Sequence, residues 1–254
     1  MTTWVLLRGL ARESRHWGRF LAMLREAVPA GDRVVAIDLP GNGRRFRERS
    51  AASVPRIAEA ARLQLAKDSD ARPPYLLLAL SLGGMVAVQW ALQDPSAVRG
   101  CILVNSSMRG LSQPWQRLRP AALLQLLATL AGPTPLARER RIVRLTSNRE
   151  PDDAVAAAWA DYAAARPVTH GNMLRQLLAA ARFRAPEAAP AVPLLLLASR
   201  GDRLASVECS RAMARAWLAP LREHPDAGHD LTLDEPAWVV AQALAWSRAL
   251  PAEP

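Results

Sequence analysis

Short apolar runs alternate with longer amphipathic stretches in the first part of the chain and again near its end. The apolar runs comprise Trp4–Leu7, Val34–Ile37, Tyr75–Leu80, Val98–Val104, Pro193–Ala198 and the weaker Leu221–His224. The amphipathic stretches include His16–Ala27, Val54–Lys67 and Gly83–Gln93. Buried strands that alternate with helices are typical of a parallel sheet covered on both faces. The pattern therefore predicts an α/β fold with a mostly parallel sheet and helices on both of its faces.

The alternation stops after Ser107 and resumes near Val192. The segment between these residues has helical patterns separated by prolines, at Ala121–Leu130, Arg138–Leu145, Asp152–Ala165 and Gly171–Ala181. We therefore expect residues 1–107 and 190–254 to form the α/β core, and residues 108–189 to form a helical cap inserted between two strands.

Composition excludes several classes of protein. Half of the 254 residues are hydrophobic and 22% are charged, which excludes a disordered chain. The two cysteines, Cys101 and Cys209, are too few for a disulfide scaffold or a thiolate zinc site. Met1–Gly9 lacks the features of a signal peptide, and the apolar stretch Ala121–Ala131 is too short to span a bilayer. We expect a soluble, cytoplasmic protein with no membrane partner.

The net charge of +10 is unevenly distributed. Residues 108–185 contain 12 arginines and 5 acidic residues, so +7 lies in the expected cap. One interpretation is a solvated basic face in an arginine-rich chain. The other is attraction of an anionic substrate or an acidic partner, such as a carrier protein. No zinc-finger, RNP or basic-zipper pattern is present, so a nucleic-acid partner is not expected.

Ser81 lies between a predicted strand and a predicted helix, in Ala79-Leu-Ser81-Leu-Gly83-Gly84. A sharp strand-to-helix turn exposes the serine hydroxyl and requires small residues two positions before and after it. Ala79 and Gly83 meet that requirement. The helix N-terminus also provides a free backbone N–H at Leu82, which suits a developing oxyanion.

A serine nucleophile needs a base, and the base needs an acid that holds its tautomer. His229 follows the last predicted strand, in Ala227-Gly-His229, and Asp202 directly follows the strand before it. Carboxyl ends of parallel strands are where such groups gather. Asn105 occupies an alternative acid position, but an amide cannot balance an imidazolium charge, so Asp202 is preferred.

The second oxyanion donor is expected in the loop after the first strand. That loop is Leu7-Arg8-Gly9-Leu10, and the backbone N–H of Leu10 is the candidate. Gly9 lets the backbone approach a ligand closely.

These motifs, in this order, resemble those of the α/β-hydrolase superfamily over nearly the whole chain. The resemblance rests on Arg8-Gly9, Asp38-Leu-Pro-Gly-Asn-Gly43, Ala79-Leu-Ser-Leu-Gly-Gly84, Gly201-Asp202 and Ala227-Gly-His229. Within the superfamily the chain is similar to small cap-bearing carboxylesterases. Its residues Ser81-Leu-Gly-Gly-Met, Asp94-Pro, Val98-Arg and Ser106-Ser107 resemble those of the pimeloyl-acyl-carrier-protein methyl ester esterases. Ala79-Leu80 stand where those enzymes usually have Gly-Trp.

The resemblance implies a serine hydrolase that cleaves a small-molecule acyl ester through an acyl-enzyme, without a cofactor or metal. Cleavage of thioesters or C–C bonds, and acyl transfer, use the same triad and stay open, as does a non-catalytic ligand-binding protein. In the expected cap, Trp115, Trp159 and the leucines of Leu123–Leu130 and Leu174–Leu178 either line an apolar acyl site or pack the cap itself.

Overall fold

The computed structural model describes residues 1–68, 70–130, 133–149 and 153–251. Six strands lie in this part of the chain: β1 (Thr3–Leu7), β2 (Arg33–Ile37), β3 (Tyr75–Leu80), β4 (Val98–Val104), β5 (Leu194–Ser199) and β6 (Leu221–His224). They match the six predicted apolar runs to within one residue at each end. Continuous apolar character is the signal of a strand that is buried on both faces. Strands β1, β3, β4 and β5 are almost entirely buried, whereas β2 and β6 are only partly buried.

The strands form one sheet in the order β2-β1-β3-β4-β5-β6, and every pair of neighbours in it is parallel. The α/β fold with a parallel sheet is therefore confirmed. All six carboxyl ends lie at the same edge of the sheet. The segments that follow β1, β3, β4, β5 and β6 consequently meet there, and they contain the residues predicted for the site together with the alternative Asn105.

Helices cover both faces of the sheet. On one side pack α2 (Val54–Leu65), α3 (Leu82–Gln93) and α9 (Glu208–Trp217), and on the other side α1 (Arg19–Ala27) and α11 (Pro236–Arg248).

Successive residues of each strand point to opposite layers of the core. In β3, Leu77 and Ala79 face the first layer, whereas Leu76, Leu78 and Leu80 face the second. Each fully buried leucine contributes about 1.5–3 kcal/mol relative to an exposed one, so the strand is fixed in its register from both faces.

The chain between β4 and β5 is helical, as predicted. Its helices are α4 (Pro114–Arg117), α5 (Pro120–Leu130), α6 (Pro135–Thr146), α7 (Asp153–Ala165) and α8 (His170–Arg182). Asp152, the first residue of one predicted helix, lies outside the described residues. A separate small apolar cluster joins α6 to α7 through Val143, Ala156 and Trp159.

Three details differ from the predicted elements. The amphipathic stretch predicted at His16–Ala27 is divided at Gly18. A 3-10 turn, Ser14–Trp17, ends before this glycine, which has a φ of 50°, and α1 begins after it. Helix α9 was not predicted, although its buried Cys209, Met213 and Trp217 recur every four residues, which is a helical spacing. A short helix, α10 (Leu231–Asp234), occupies part of the loop after His229.

Both cysteines are buried and free. No helix within the described ranges is long and apolar enough to cross a membrane.

Candidate active site

Ser81 occupies the strained turn that the sequence predicts. It joins β3 directly to α3 and has a φ of 57°, an unusual value for a residue with a Cβ. Such strain costs about 1–3 kcal/mol and persists only where neighbouring bonds enforce it. Here the Ser81 N–H donates to the Val104 carbonyl (2.9 Å), and the Ser106 hydroxyl donates to the Ser81 carbonyl (2.9 Å).

The residues around Ser81 are small because strand and helix are very close together. A Cβ on Gly83 would overlap the carbonyl oxygen of Leu7, and a Cβ on Gly84 would lie 2.6 Å from the Ser106 hydroxyl. Ala79 is completely buried in the first core layer. Gly83 therefore lets α3 start directly beside the end of β1, and Gly84 lets it pass close to the loop that follows β4.

Asp202 and His229 are brought together from the loops after β5 and β6. The Nδ1 atom of His229 lies 2.7 Å from Oδ2 of Asp202, and both side chains are buried. The other carboxylate oxygen of Asp202 accepts from the backbone N–H groups of Leu204 (2.7 Å) and Ala205 (2.9 Å). These bonds fix the carboxylate, which in turn fixes the imidazole ring.

The electrostatics around His229 favour its protonated form. Burial lowers its pKa, but the Asp202 charge and hydrogen bond and the Asp230 charge outweigh burial and the opposing Arg8, so the pKa is raised overall. An imidazole in this setting readily accepts a proton from a neighbouring group.

Ser81 and His229 line the same two cavities. Among the hydrogen bonds of the described residues, none joins the Ser81 hydroxyl to the His229 ring. Such catalytic contacts are often long until substrate is bound.

Leu10 and Leu82 provide backbone N–H groups beside Ser81. Neither N–H is a donor in the hydrogen bonds of the described residues, and both residues line the larger cavity. A Cβ on Gly9 would lie 3.2 Å from Cβ of Ser81, so the glycine permits close approach of the β1 loop. The predicted oxyanion donors are thus placed around one serine.

Asn105, the alternative acid position, has a different role in the geometry. Its Nδ2 donates to the backbone carbonyl of His229 (2.8 Å), and its Oδ1 accepts from the Ser199 N–H (2.8 Å). It therefore holds the backbone of the histidine loop, while Asp202 holds the ring.

An ion pair that sequence reasoning missed connects the first loop to the histidine loop. The Arg8 guanidinium donates twice to the Asp230 carboxylate, at 2.5 and 3.2 Å, and once to the Thr232 hydroxyl at 3.2 Å. Burial raises the pKa of Asp230, but the Arg8 charge and hydrogen bonds outweigh it and hold that pKa below its ordinary value. The partners are separated by 222 positions in the sequence, which explains why no local pattern revealed the pair.

Two cavities meet at Ser81. The larger has a volume of about 780 Å³ and is mostly apolar, with Met85, Leu126 and Leu177 in its wall. The smaller has a volume of about 440 Å³. Five residues line both cavities and form the waist between them: Leu10, Ser81, Leu126, Leu204 and His229.

The smaller cavity has a charged wall. Arg12 and Glu139 form an ion pair there (2.9 Å), and the Arg12 guanidinium lies 4.6 Å from the centre of the Trp159 ring. His16 lies in the same wall, and burial and then Arg12 lower its pKa well below the ordinary value. The two cavities thus offer different chemistry on the two sides of Ser81.

Some aromatic and leucine candidates of the inserted helices line a cavity and others are exposed, and Leu177 is both. Leu126, Leu177 and Trp159 line a cavity. Trp115 is exposed, as are other members of the two leucine runs, namely Leu123, Leu124, Leu127 and Leu174. Within the described residues, no cluster of three or more His, Cys, Asp or Glu side chains is arranged to hold a metal ion.

Comparison with known proteins identifies the family of the chain. The profile of the alpha/beta hydrolase family matches residues 4–242. The pimeloyl-[acyl-carrier protein] methyl ester esterase of Pectobacterium carotovorum is 27% identical over 242 residues, covering 89% of this chain and 91% of that protein. Its counterpart in Serratia marcescens is 28% identical over 240 residues, covering 87% and 89%.

Solved structures show the same architecture. A putative non-heme bromoperoxidase, BpoC from Mycobacterium tuberculosis, superposes with a TM-score of 0.78 at 19% identity, covering 99% of this chain and 94% of that one. At this identity the likeness concerns the fold alone.

Proposed function

The chain belongs to the alpha/beta hydrolase family, and from that premise we propose that it is a carboxylic ester hydrolase with the triad Ser81, His229 and Asp202. The observation that carries the proposal is the buried 2.7 Å contact between Asp202 and His229, beside cavities that His229 shares with Ser81. Ser81 itself is held at a φ of 57°, the strained geometry of a nucleophile at a strand-to-helix turn.

The proposed reaction begins with transfer of the Ser81 hydroxyl proton to Nε2 of His229. The serine oxygen attacks the acyl carbonyl, and the N–H groups of Leu10 and Leu82 bind the resulting oxyanion. Asp202 keeps the proton on Nδ1, so that Nε2 is free to act as the base. It also balances the charge of the imidazolium that forms.

The tetrahedral intermediate then collapses. The bond to the leaving alcohol breaks, and the alcohol oxygen takes the proton from His229. Water, deprotonated by the same imidazole, attacks the acyl carbon. The bond from that carbon to the Ser81 oxygen then breaks, the Ser81 oxygen takes the proton from His229, and the carboxylic acid is released. The two steps return Ser81 and His229 to their starting protonation states.

We propose further that the substrate is the methyl ester of an acyl chain on an acidic carrier protein. The names of the relatives support this class of substrate. The net +7 of residues 108–185 supports it independently, because a basic surface attracts an acidic protein. In this proposal residues 108–189 act as a cap, and Leu126 on α5 closes the waist above Ser81.

The test compares a carrier-bound methyl ester with a small p-nitrophenyl ester. Arg140 and Arg141 on α6 are outside both cavities, whereas Arg138 lines the smaller one. We therefore expect Arg140→Glu and Arg141→Glu together to raise KM for the carrier-bound ester and leave turnover of the small ester unchanged. Arg19→Glu together with Arg56→Glu, exposed changes on α1 and α2, reverses the same number of charges; this matched control should alter neither.

The outcomes separate the two levels of the proposal. Equal effects of the α6 reversal on both esters would contradict carrier docking. Absence of turnover with either ester by the wild-type protein would contradict the hydrolase itself. Faster turnover of a matched thioester than of the oxygen ester would assign the triad to thioester cleavage.

A further inference from the structure

The residues that follow α6 contact both loops that supply the proposed acid and base. The Asn148 side-chain amide donates to the carbonyl of Gly201 (2.8 Å) and to that of Asp226 (2.8 Å). Gly201 immediately precedes Asp202, and Asp226 lies three residues before His229. One amide group of the inserted segment therefore bridges two loops that follow different strands.

Two glycines next to catalytic candidates leave room for this contact. A Cβ on Gly201 would lie 2.5 Å from Nδ2 of Asn148, and a Cβ on Gly228 would lie 2.5 Å from the Thr146 carbonyl oxygen. Real Cβ atoms are not found at such distances from other atoms. Gly228 is thus required by the close approach of the end of α6, whereas a Cβ on Gly201 would also meet the backbone carbonyl oxygens of Asp226 (2.6 Å) and Ala227 (2.8 Å).

A buried carboxylate completes the junction. Asp234 accepts from the Ser147 hydroxyl (2.5 Å), the Asn148 N–H (2.9 Å) and the Gly228 N–H (2.7 Å). Asp234 is only 5% exposed, and its oxygens thus hold the end of α6 and the histidine loop together.

A second side chain of the inserted helices holds the loop of the proposed oxyanion donor. Gln176 of α8 is completely buried, and its Oε1 accepts from the N–H of Ala11 (2.9 Å). Its Nε2 donates to the Asn42 side chain (2.8 Å) and the Pro40 carbonyl (3.2 Å). Ala11 follows Leu10 and has a φ of 54°, a conformation that needs such support.

We propose that the inserted helices are a scaffold for catalysis, in which Asn148 positions the acid and histidine loops and Gln176 positions the oxyanion loop. The inference rests on the proposed function, since it assigns the triad and the oxyanion donors. Neither residue touches the reacting atoms. Both act through the backbone of the loops that hold Asp202, His229 and Leu10.

The two positioning residues have different expected signatures. Loss of the Asn148 amide loosens the contact between Asp202 and His229, so it should lower kcat and shift the acid limb of kcat/KM to lower pH. The shift is toward lower pH because Asp202 raises the pKa of His229, and a looser contact raises it less. The other charged neighbours of His229 are Asp230 and Arg8. Loss of the Gln176 amide displaces the Leu10 N–H and should lower kcat without moving that limb.

The experiment uses the full chain and a small p-nitrophenyl ester, with Asn148→Ala, Gln176→Met and the control Asn172→Ala. Asn172 is matched in chemistry: it also fastens α8 to the core, donating to the Glu48 carbonyl (2.8 Å) and accepting from the Ser50 N–H (2.9 Å). Its partners lie in a loop without proposed catalytic residues. We expect kcat to fall about 10- to 100-fold for Asn148→Ala and Gln176→Met, and to stay unchanged for Asn172→Ala.

Stability and function are separated by two further measurements. All kinetics are run well below each variant's unfolding temperature, and the downfield proton resonance of His229 Nδ1–H is recorded. We expect that resonance to shift or broaden in Asn148→Ala alone. If Asn148→Ala does not fold, Asn148→Asp, which keeps the shape and loses the donors, takes its place.

If a folded Asn148 variant has the same kcat as wild type and the same acid limb of kcat/KM, the assignment of Asn148 is overturned. An equal loss of kcat in Asn172→Ala would show that any weakening of the inserted helices has the same effect, and would overturn the scaffold as a whole. Ser81→Ala distinguishes these results from failure of the proposed function, because retained hydrolysis in that variant contradicts the triad itself.

Discussion

Replacing Arg8 with methionine removes one partner of the buried ion pair that joins the β1 loop to the histidine loop. The side chains of Arg8 and Asp230 are only 2% and 5% exposed, and three hydrogen bonds from the guanidinium are lost together. Methionine fills much of the same space, so the main consequence is a buried carboxylate without its cation.

Breaking a buried pair in this way costs about 3–5 kcal/mol, far more than an exposed pair contributes. For a chain of this size, 1 kcal/mol corresponds to a shift in Tm of about 2–4 °C. We therefore expect Arg8→Met to lower Tm by roughly 6–20 °C.

The assay is urea unfolding at several pH values, with Asp230→Asn and the double variant completing a mutant cycle. Because Arg8 lowers the folded-state pKa of Asp230, the stabilisation is fully present above the unfolded pKa of aspartate, about 3.9. It is lost as the pH falls through the lower folded-state pKa. The difference between wild type and Arg8→Met should therefore be largest at neutral pH and shrink in acid.

Two results would refute this reasoning. One is a cost below about 1 kcal/mol for Arg8→Met, the range of a solvent-exposed pair. The other is additivity in the cycle, since partners in direct contact should couple by at least about 0.5 kcal/mol.

Three further predictions concern the site. Asp202→Asn should lower kcat by about 10³- to 10⁴-fold and move the acid limb of kcat/KM to lower pH, which steady-state kinetics across pH would check. In wild type the raised pKa of His229 should place that limb above the ordinary value of about 6.5, because activity requires the neutral imidazole; a limb below this value would contradict the electrostatics. Gly83→Ala should destabilise the fold by at least about 1–3 kcal/mol in thermal unfolding, because the added Cβ meets the Leu7 backbone. The control Gly171→Ala in α8 should be neutral or stabilising, because its Cβ comes close only to the flexible end of the Arg175 side chain.

Local sequence patterns predict most of the fold. Tyr75–Leu80 and Val98–Val104 were predicted with the bounds that the structure has, because buried parallel strands are continuous apolar runs. The break at Gly18 was not predicted, since a glycine within an amphipathic stretch is compatible with either a continuous or an interrupted helix.

The predictions for the site rest on local signals, and they do not include contacts that depend on the packing of distant loops. Ser81, Asp202 and His229 each directly follow a strand or lie in a short loop after one, so chain order alone brought them to one edge of the sheet. The partners of Arg8 and Asn148 depend on how distant loops pack, and no spacing in the sequence encodes them. The close approach of the Thr146 carbonyl oxygen to Gly228 is likewise not encoded in any local pattern.

Intact-mass detection of fluorophosphonate labelling, with wild type beside Ser81→Ala, tests the activated serine most directly. Phosphonylation requires a nucleophilic serine whose proton is taken by a base, and it is independent of the natural acyl group. We expect a single adduct on wild type and none on the variant. An adduct on both proteins, or no adduct on folded wild type, would contradict the assignment of Ser81 as the nucleophile of a working triad.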